Sequence, residues 1–477
     1  MEIALRQRYQ EVLKDRERYQ IESKWIAGKN NGVKFYAFVG SNGYAIASKG
    51  YISSLVHKGI YVLLQPIKFV LETGADILAE DDTLLAVCLH NTEINYDTVI
   101  IHSVPTSWDK IVDYERGRNP NVKIFGLTVW ETDRVYPSWM DIIVNNRLTG
   151  LIVPSHWNAE IFKKTAKDNK IVGFPPVYVC HHLITDYLTK KDKHRTRSSR
   201  SSLYGKAGKA FLCIGSWTPR KGVSETVEAY LQAFKKSDDV VLYLKTFLHS
   251  YSLENSLILQ KRLNEITSKY PNPAKIVLNT DLVSDDQIDD LISNCDVFVS
   301  LCNSEGVGLG ACQSALNGKI VIMTGYGGQI EYIKQAHWID YRLDVVDVPT
   351  GFVNWICPPQ KWAYPSIDHS VKLMKNVYNN MERYKEEAHL NRRHLLKNFN
   401  HSSIYNQLQV AIKFDPKNCP IVKLSTPAAG PVSSSRSRAV PIPKIVDDRY
   451  RERKYGDSRV TENREQKSQD LVKKKRL

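Results

Sequence analysis

The run Cys295-Asp296-Val297-Phe298-Val299-Ser300-Leu301 is a mostly apolar stretch of strand length, followed closely by Ser304-Glu305-Gly306-Val307-Gly308-Leu309-Gly310-Ala311-Cys312-Gln313. Next, Ala315-Leu316-Asn317-Gly318 stops a helix and Lys319-Ile320-Val321-Ile322 opens another apolar run. The order predicts strand, glycine-rich turn, helix, strand: one βαβ unit, which commits this part of the chain to a parallel sheet with helices on its faces. A helix that opens behind glycines presents unpaired N–H groups and a positive dipole end, and both suit a phosphate. Glu305 at the turn would repel phosphate. It fits better as an acceptor for hydroxyl groups carried beside the phosphate, such as those of a sugar. Glycine turns before helices are common, so spacing alone reads no further than a candidate phosphate or nucleotide site.

The same rhythm recurs on both sides of a break. Strands are predicted at 33–39, 60–64, 98–101, 122–127, 150–153 and 177–179, with the turn Gly40-Ser41-Asn42-Gly43-Tyr44 and a helix over 45–58 after the first. Residues 187–208 then turn polar and low in complexity, with Lys190-Lys191-Asp192-Lys193-His194-Arg195 and Arg197-Ser198-Ser199-Arg200-Ser201-Ser202. Beyond them come strands at 211–214, 240–244 and 276–278, helices at 224–235 and 253–269, and a capping box from Ser284 to Gln287. The fold class is therefore α/β, two halves around a linker, with room in 477 residues for two or three cores. The expected map is an N-terminal domain over 1–186 that opens with a charged helix, a basic linker over 187–209, a C-terminal domain over 210–414 and a disordered tail over 415–477. A last helix is expected at 403–413.

A net charge of +15 suggests an anionic partner, but residues 415–477 hold sixteen Lys/Arg against eight Asp/Glu and so carry +8 of it. That location points to a solvated tail, with a nuclear localisation patch or an anionic-surface patch as its alternatives, and weakens the case for nucleic acid. Eight scattered cysteines without a Cys-x-x-Cys pair suit buried thiols in a reducing compartment. The absence of a membrane-length apolar run or a signal-peptide core makes a cytoplasmic protein the expectation, with peripheral membrane association left open.

The motif Glu305-Gly306-Val307-Gly308-Leu309, a helix, then Gly318-Lys319-Ile320-Val321 resembles the donor site of glycosyltransferase family 4, the group 1 glycosyltransferases. The resemblance runs from about residue 33 to 414 and is strongest at 211–222 and 295–333. It implies the GT-B fold, two Rossmann-like domains facing across a cleft, and transfer of a sugar from a nucleotide-diphosphate donor (a UDP- or GDP-sugar) with retention. It also implies roles. Lys221, at the end of Gly215-Ser216-Trp217-Thr218-Pro219-Arg220-Lys221-Gly222, neutralises the diphosphate; Arg220 assists, because the family's arginine after Gly215 is Ser216 here. Glu305 holds donor-sugar hydroxyls. The family's second glutamate, eight positions on, is Gln313, which can bond a ribose diol only without charge. Gly215, Ser216, Lys245, Gly306, Val307, Gly308 and Leu309 complete the donor side.

On the acceptor side Gly43 lies in the loop that approaches the donor. Trp130-Glu131 stands where many relatives carry a histidine. Glu131 would hold hydroxyls or cap the following helix, and His102 is the nearest cleft-facing histidine, with a structural role as its alternative. Ser155 reads as a helix N-cap and 325–332 as a wall of the pocket. No Asp-x-Asp follows a strand, so no metal and no cofactor are expected. Glu305, Lys221 and Arg220 are the expected catalytic set of a hexosyltransferase whose acceptor is a glycan, lipid or protein. Two rival readings are a non-catalytic GT-B protein that binds a nucleotide sugar or a partner, supported by Gln313, and a GT-B glucosyltransferase of nucleic acid, supported by the basic tail alone.

Overall fold

The computed structural model describes residues 31–40, 42–67, 84–85, 88, 94–187, 208–248, 251–347, 355–415 and 417. The helix expected before residue 31, most of the linker and nearly all of the tail lie outside them. Two parallel six-stranded sheets dominate.

The first contains β1 (Asn31–Phe38), β2 (Tyr61–Ile67), β3 (Asn95–His102), β4 (Lys123–Leu127), β5 (Gly150–Val153) and β6 (Val177–Val179), in the order β2-β1-β3-β4-β5-β6. All five of its strand pairs are parallel. Strand β1 is buried along seven of its eight residues, as a strand covered by helices on both faces must be. Its Lys34 is buried with the rest and is held by Glu115 at 2.6 Å, whose other carboxylate oxygen accepts from the Tyr96 hydroxyl at 3.0 Å. Burial pushes the Lys34 ammonium down from its ordinary value, and the Glu115 charge opposes that shift. Strand β2 continues past the expected residue 64 through Pro66. A proline that cannot donate to a ladder is tolerated there because β2 is an edge strand.

The second sheet contains β7 (Lys209–Ser216), β8 (Val240–Phe247), β9 (Lys275–Asn279), β10 (Val297–Ser300), β11 (Ile320–Thr324) and β12 (His337–Ile339), in the order β12-β11-β10-β7-β8-β9. The Ser284 capping box is present in full and opens the helix Asp285–Asn294. An antiparallel pair, β13 (Tyr341–Val345) with β14 (Lys361–Pro365), was not legible as a hairpin because the two strands are fifteen residues apart. Among the described residues no helix is long and apolar enough to cross a membrane.

Helices cover both faces of each sheet. Those used below are α1 (Gly43–Val56), α2 (Trp108–Arg118), α3 (Pro137–Asn145), α4 (His156–Asp168) and α5 (Val223–Ala233). After them come α6 (Leu253–Thr267), α7 (Asp285–Asn294), α8 (Leu309–Leu316), α9 (Gln329–Tyr332), α10 (Ile367–Asn379), α11 (Met381–Asn398) and α12 (His401–Ile412). The last of these crosses back. Ile404, Leu408, Ala411 and Ile412 of α12 are buried in the same apolar cluster as Val33, Phe35, Tyr51 and Ile100 of the first half. The first sheet is therefore finished by the last of the described helices.

Leu408→Ala, at a side chain with no exposure, should lower unfolding free energy by about 2–5 kcal/mol, read from denaturant titration. A loss below about 0.5 kcal/mol would show that α12 is not part of this core.

Candidate functional site

Strands β7 and β10 are neighbours near the middle of the second sheet, so their carboxyl ends deliver two loops to one place. After β7 a 3-10 turn, Pro219–Lys221, ends at Gly222 with φ 59°. A Cβ at Gly222 would stand 1.8 Å from the Leu301 carbonyl oxygen, so only glycine lets this turn lie against the exit of β10. The Asn303 amide donates to the Arg220 carbonyl at 2.8 Å and ties the loops together. Residues 304–308 then lead into α8, whose N-cap is Gly308.

This geometry brings the three expected catalytic residues together. The Lys221 ammonium donates to Glu305 Oε1. Arg220 Nη1 lies 3.5 Å from Glu305 Oε2 and donates to the Ser304 carbonyl at 2.8 Å. Glu305 is therefore a nearly buried carboxylate between two cations. Burial pushes its carboxyl up, but Lys221 and Arg220 outweigh burial and hold it below the ordinary range.

A fourth charge arrives from the first half. Glu131 Oε1 sits 2.8 Å from the same Arg220 Nη1. Its loop is fixed by the Trp130 amide donating to Asn158 Oδ1 at 2.6 Å and by Ser304 Oγ donating to the Glu131 carbonyl. Asp133 adds a two-way link to Lys361 of β14: its amide donates to the Lys361 carbonyl at 3.0 Å and its carboxylate accepts the Lys361 amide at 2.6 Å. A Cβ on Gly306 would meet Val129 Cγ2 at 2.1 Å, so residues 129–131 lie directly on the glycine turn. Glu131 does not cap the following helix, because α3 starts at Pro137 behind Tyr136 with no side-chain cap. Burial, with Glu305 adding to it, pushes the Glu131 carboxyl up despite Arg220.

The remaining expected residues divide. Gly215 and Ser216 end β7 beside Lys221, and Lys245 stands in the neighbouring strand β8, paired in register with Ile214. Lys245 is 3% exposed, its ammonium lies 5.0 Å from the Tyr251 ring centroid, and it has no hydrogen-bond partner among the described residues. Burial pushes it down to about 8, with Asp281 opposing. Val307 is buried, Leu309 begins α8, and Gln313 is half-buried one turn further along that helix. Gly43 begins α1 behind the Asn42 cap, and the next residue, Tyr44, bonds through its hydroxyl to Thr128 Oγ1 at 3.0 Å, which places this loop beside residues 128–131. His102 is not cleft-facing. It is 2% exposed, bonds Ser48 Oγ through Nδ1 at 2.6 Å, and is ringed by Phe35, Tyr44 and Tyr51. Burial pushes its imidazole well below the ordinary range, which keeps it neutral. Ser155 caps α4 as expected, accepting the Asn158 amide at 3.0 Å.

A cavity of about 370 Å³ is lined by Gly325, Ile330, Trp338, Ile339, Asp340 and Tyr341. None of the four charged residues lines it. A further group went unread in the sequence as a unit: Glu331 of α9 faces His156 and His181 of the first half. His156 follows Ser155 and Glu331 lies in the 325–332 motif, while His181 belongs to no motif read in the sequence, and only the folded chain brings the three together.

Residues 195–341 match the family described as glycosyl transferases group 1. No curated protein sequence matches the chain. Among solved structures, sucrose-phosphate synthase from Thermosynechococcus elongatus is similar at a TM-score of 0.56 and 12% identity, over 80% of this chain and 98% of that one. Trehalose-6-phosphate from E. coli bound with UDP-2-fluoro glucose is similar at 0.54 and 12%, over 81% and 100%. Trehalose 6-phosphate synthase from Burkholderia multivorans gives 0.54 and 9%, over 80% and 98%. The chain thus has the GT-B fold, two Rossmann-like domains, and its second half carries a group 1 glycosyl transferase region.

Proposed function

We propose that the protein transfers a sugar from a nucleotide-diphosphate sugar to an acceptor hydroxyl, with retention at the anomeric carbon. One observation carries this: Arg220 and Lys221 converge on Glu305 in front of the amino end of α8. Negative charge grows on the diphosphate as the bond to the sugar breaks. Two fixed cations and a helix terminus stabilise that charge more than they stabilise the intact donor, which lowers the barrier. Lys245, a buried ammonium at the same sheet edge, supports a further phosphate contact. Glu305 would hold the donor-sugar hydroxyls and Gln313 the ribose diol. Arg220 and Lys221 can do the work of a metal at this position. Retention is what the group 1 resemblance implies.

Charge bookkeeping constrains how a donor enters. Arg220 and Lys221 are balanced by Glu305 and Glu131, so a diphosphate must replace one of the carboxylates. Glu131 is the one that comes from the other half and whose carboxyl is pushed up, so it is the one that yields. Freed from Arg220, it faces the acceptor side beside Tyr44 and Thr128, where it can hold an acceptor hydroxyl. UDP-glucose is the first donor to test, because the similar E. coli structure is described as bound with UDP-2-fluoro glucose.

Four outcomes check this reading. Incubation with UDP- and GDP-sugars, followed by NMR of the released sugar, should show the donor's own anomer; if no donor is hydrolysed or shifts the melting temperature, the non-catalytic reading replaces this one. Glu305→Gln should cut turnover by roughly 100-fold or more with the fold kept. Glu305→Ala is a poorer test, since stranding two half-buried cations should itself cost about 1–3 kcal/mol of stability.

Glu131→Gln should bind UDP more tightly in calorimetry, because it removes the anion that competes for Arg220; unchanged or weaker binding would refute the exchange. Lys245 is charged below about pH 8 and neutral above it. UDP affinity should therefore fall from about pH 7 to about pH 9 in the parent and stay level in Lys245→Met.

A further inference from the structure

His156, His181 and Glu331 form a second cluster, away from the four charges at the glycine turn. His156 is the first residue of α4, His181 follows β6, and Glu331 belongs to α9 of the other half. Glu331 Oε2 lies 3.0 Å from His156 Nδ1 and 3.2 Å from His181 Nε2. The three ligand atoms all lie within 4.8 Å of one another.

The far side of His181 decides what can sit between them. Gln407 Oε1 accepts the His181 backbone amide at 2.8 Å, which identifies that atom as the oxygen, and it lies 3.1 Å from His181 Nδ1. Nδ1 must then carry its proton and donate to Gln407. In the neutral ring that leaves the Nε2 lone pair aimed at a carboxylate oxygen, a repulsive contact unless a cation stands between them. His156 aims a second ring nitrogen at the same oxygen. Two protonated rings on one carboxylate would leave net positive charge at the junction, whereas one divalent ion would satisfy all three groups at once.

We propose that His156, His181 and Glu331 bind a divalent transition-metal ion, zinc being the best fit. Two neutral imidazoles and one carboxylate are a borderline-soft donor set. Ligand atoms ~2.0–2.2 Å from a tetrahedral zinc stand ~3.3 Å from each other, close to the two observed separations. A ring nitrogen held by a backing carbonyl oxygen, as Gln407 holds His181, is the usual outer support of a metal-binding histidine. The carboxylate is fixed before any metal arrives, since Oε1 accepts the Trp157 amide at 2.7 Å and Oε2 the His156 amide at 2.9 Å. His156 is 74% exposed, so water can take the fourth position. The site joins the two halves at α9 and α4 and touches neither Arg220, Lys221 nor Glu305, so it holds the seam and takes no part in the sugar chemistry.

The test uses the full chain without an affinity tag, stripped with a chelator. Zinc is titrated against a chromophoric chelator, and cobalt(II) is added separately to record the visible spectrum. The parent should take up one zinc with a rise in melting temperature, and cobalt should give the intense absorption of a tetrahedral site. His156→Ala changes a mostly exposed side chain and should fold normally. It should weaken zinc at least 10-fold, as should His181→Ala, and Gln407→Ala should weaken it about 10–100-fold. Equal zinc binding by parent and His156→Ala, or none by the parent, overturns the proposal. So does a parent that binds no metal and melts higher as pH falls through the histidine range, since protons then fill the place given to the ion.

Discussion

Arg220 is the member on which the arrangement at the centre of this protein depends. Its guanidinium meets Glu305 of its own half and Glu131 of the other, and it also donates to the Ser304 carbonyl. A pair of unit charges 4 Å apart is worth about 4 kcal/mol at an effective dielectric near 20, while removing each ion from water costs several kcal/mol. The cluster therefore adds little net stability. What it does is select: any arrangement of the halves that parts Glu131 from Arg220 must supply another anion. Under the proposed exchange, the same residues that would receive a diphosphate would also register whether one is present.

The seam is built to allow this. Its polar links are specific and directional, such as Asp133 with Lys361 and Glu331 with the amide end of α4. The apolar clusters lie mostly within each half, with α12 joining the first, Ile184 of the first half buried in a cluster of the second, and Trp355 packed against one of the first. Hydrogen bonds can be exchanged for water at small net cost, but an opened apolar core cannot.

The sheets were legible because parallel strands under helices must be apolar on both faces, so 150–153 and 177–179 appear as strands at their expected positions. The capping boxes and caps at Ser284 and Ser155 were legible for the same local reason: their partners lie three residues away. What escaped was long-range. Lys34 in an apolar strand reads as a misfit until Glu115, eighty-one residues later, is brought to it. His102, which ends a strand, reads either as cleft-facing or as structural, and only its bond to Ser48 of α1 selects the structural role. Glu131 reads as a cap or a substrate ligand, and its partner Arg220 lies in a turn that follows a strand of the other sheet. Sequence patterns report which groups are charged; only topology reports which charges meet.

The crossing of α12 has a consequence for synthesis. Strand β6 ends at Val179, and the helix that completes the same apolar cluster begins at His401, roughly 220 residues later. At the usual pace of ~5–20 residues per second, the first sheet is exposed along its α1 face for on the order of ten to forty-five seconds after its last strand has been made. During that time the second half, whose strands are all made by then and which takes the already synthesised Ile184 from upstream into its core, can close its own sheet. The half made first is therefore sealed last, and its exposed face is where a chaperone would be needed.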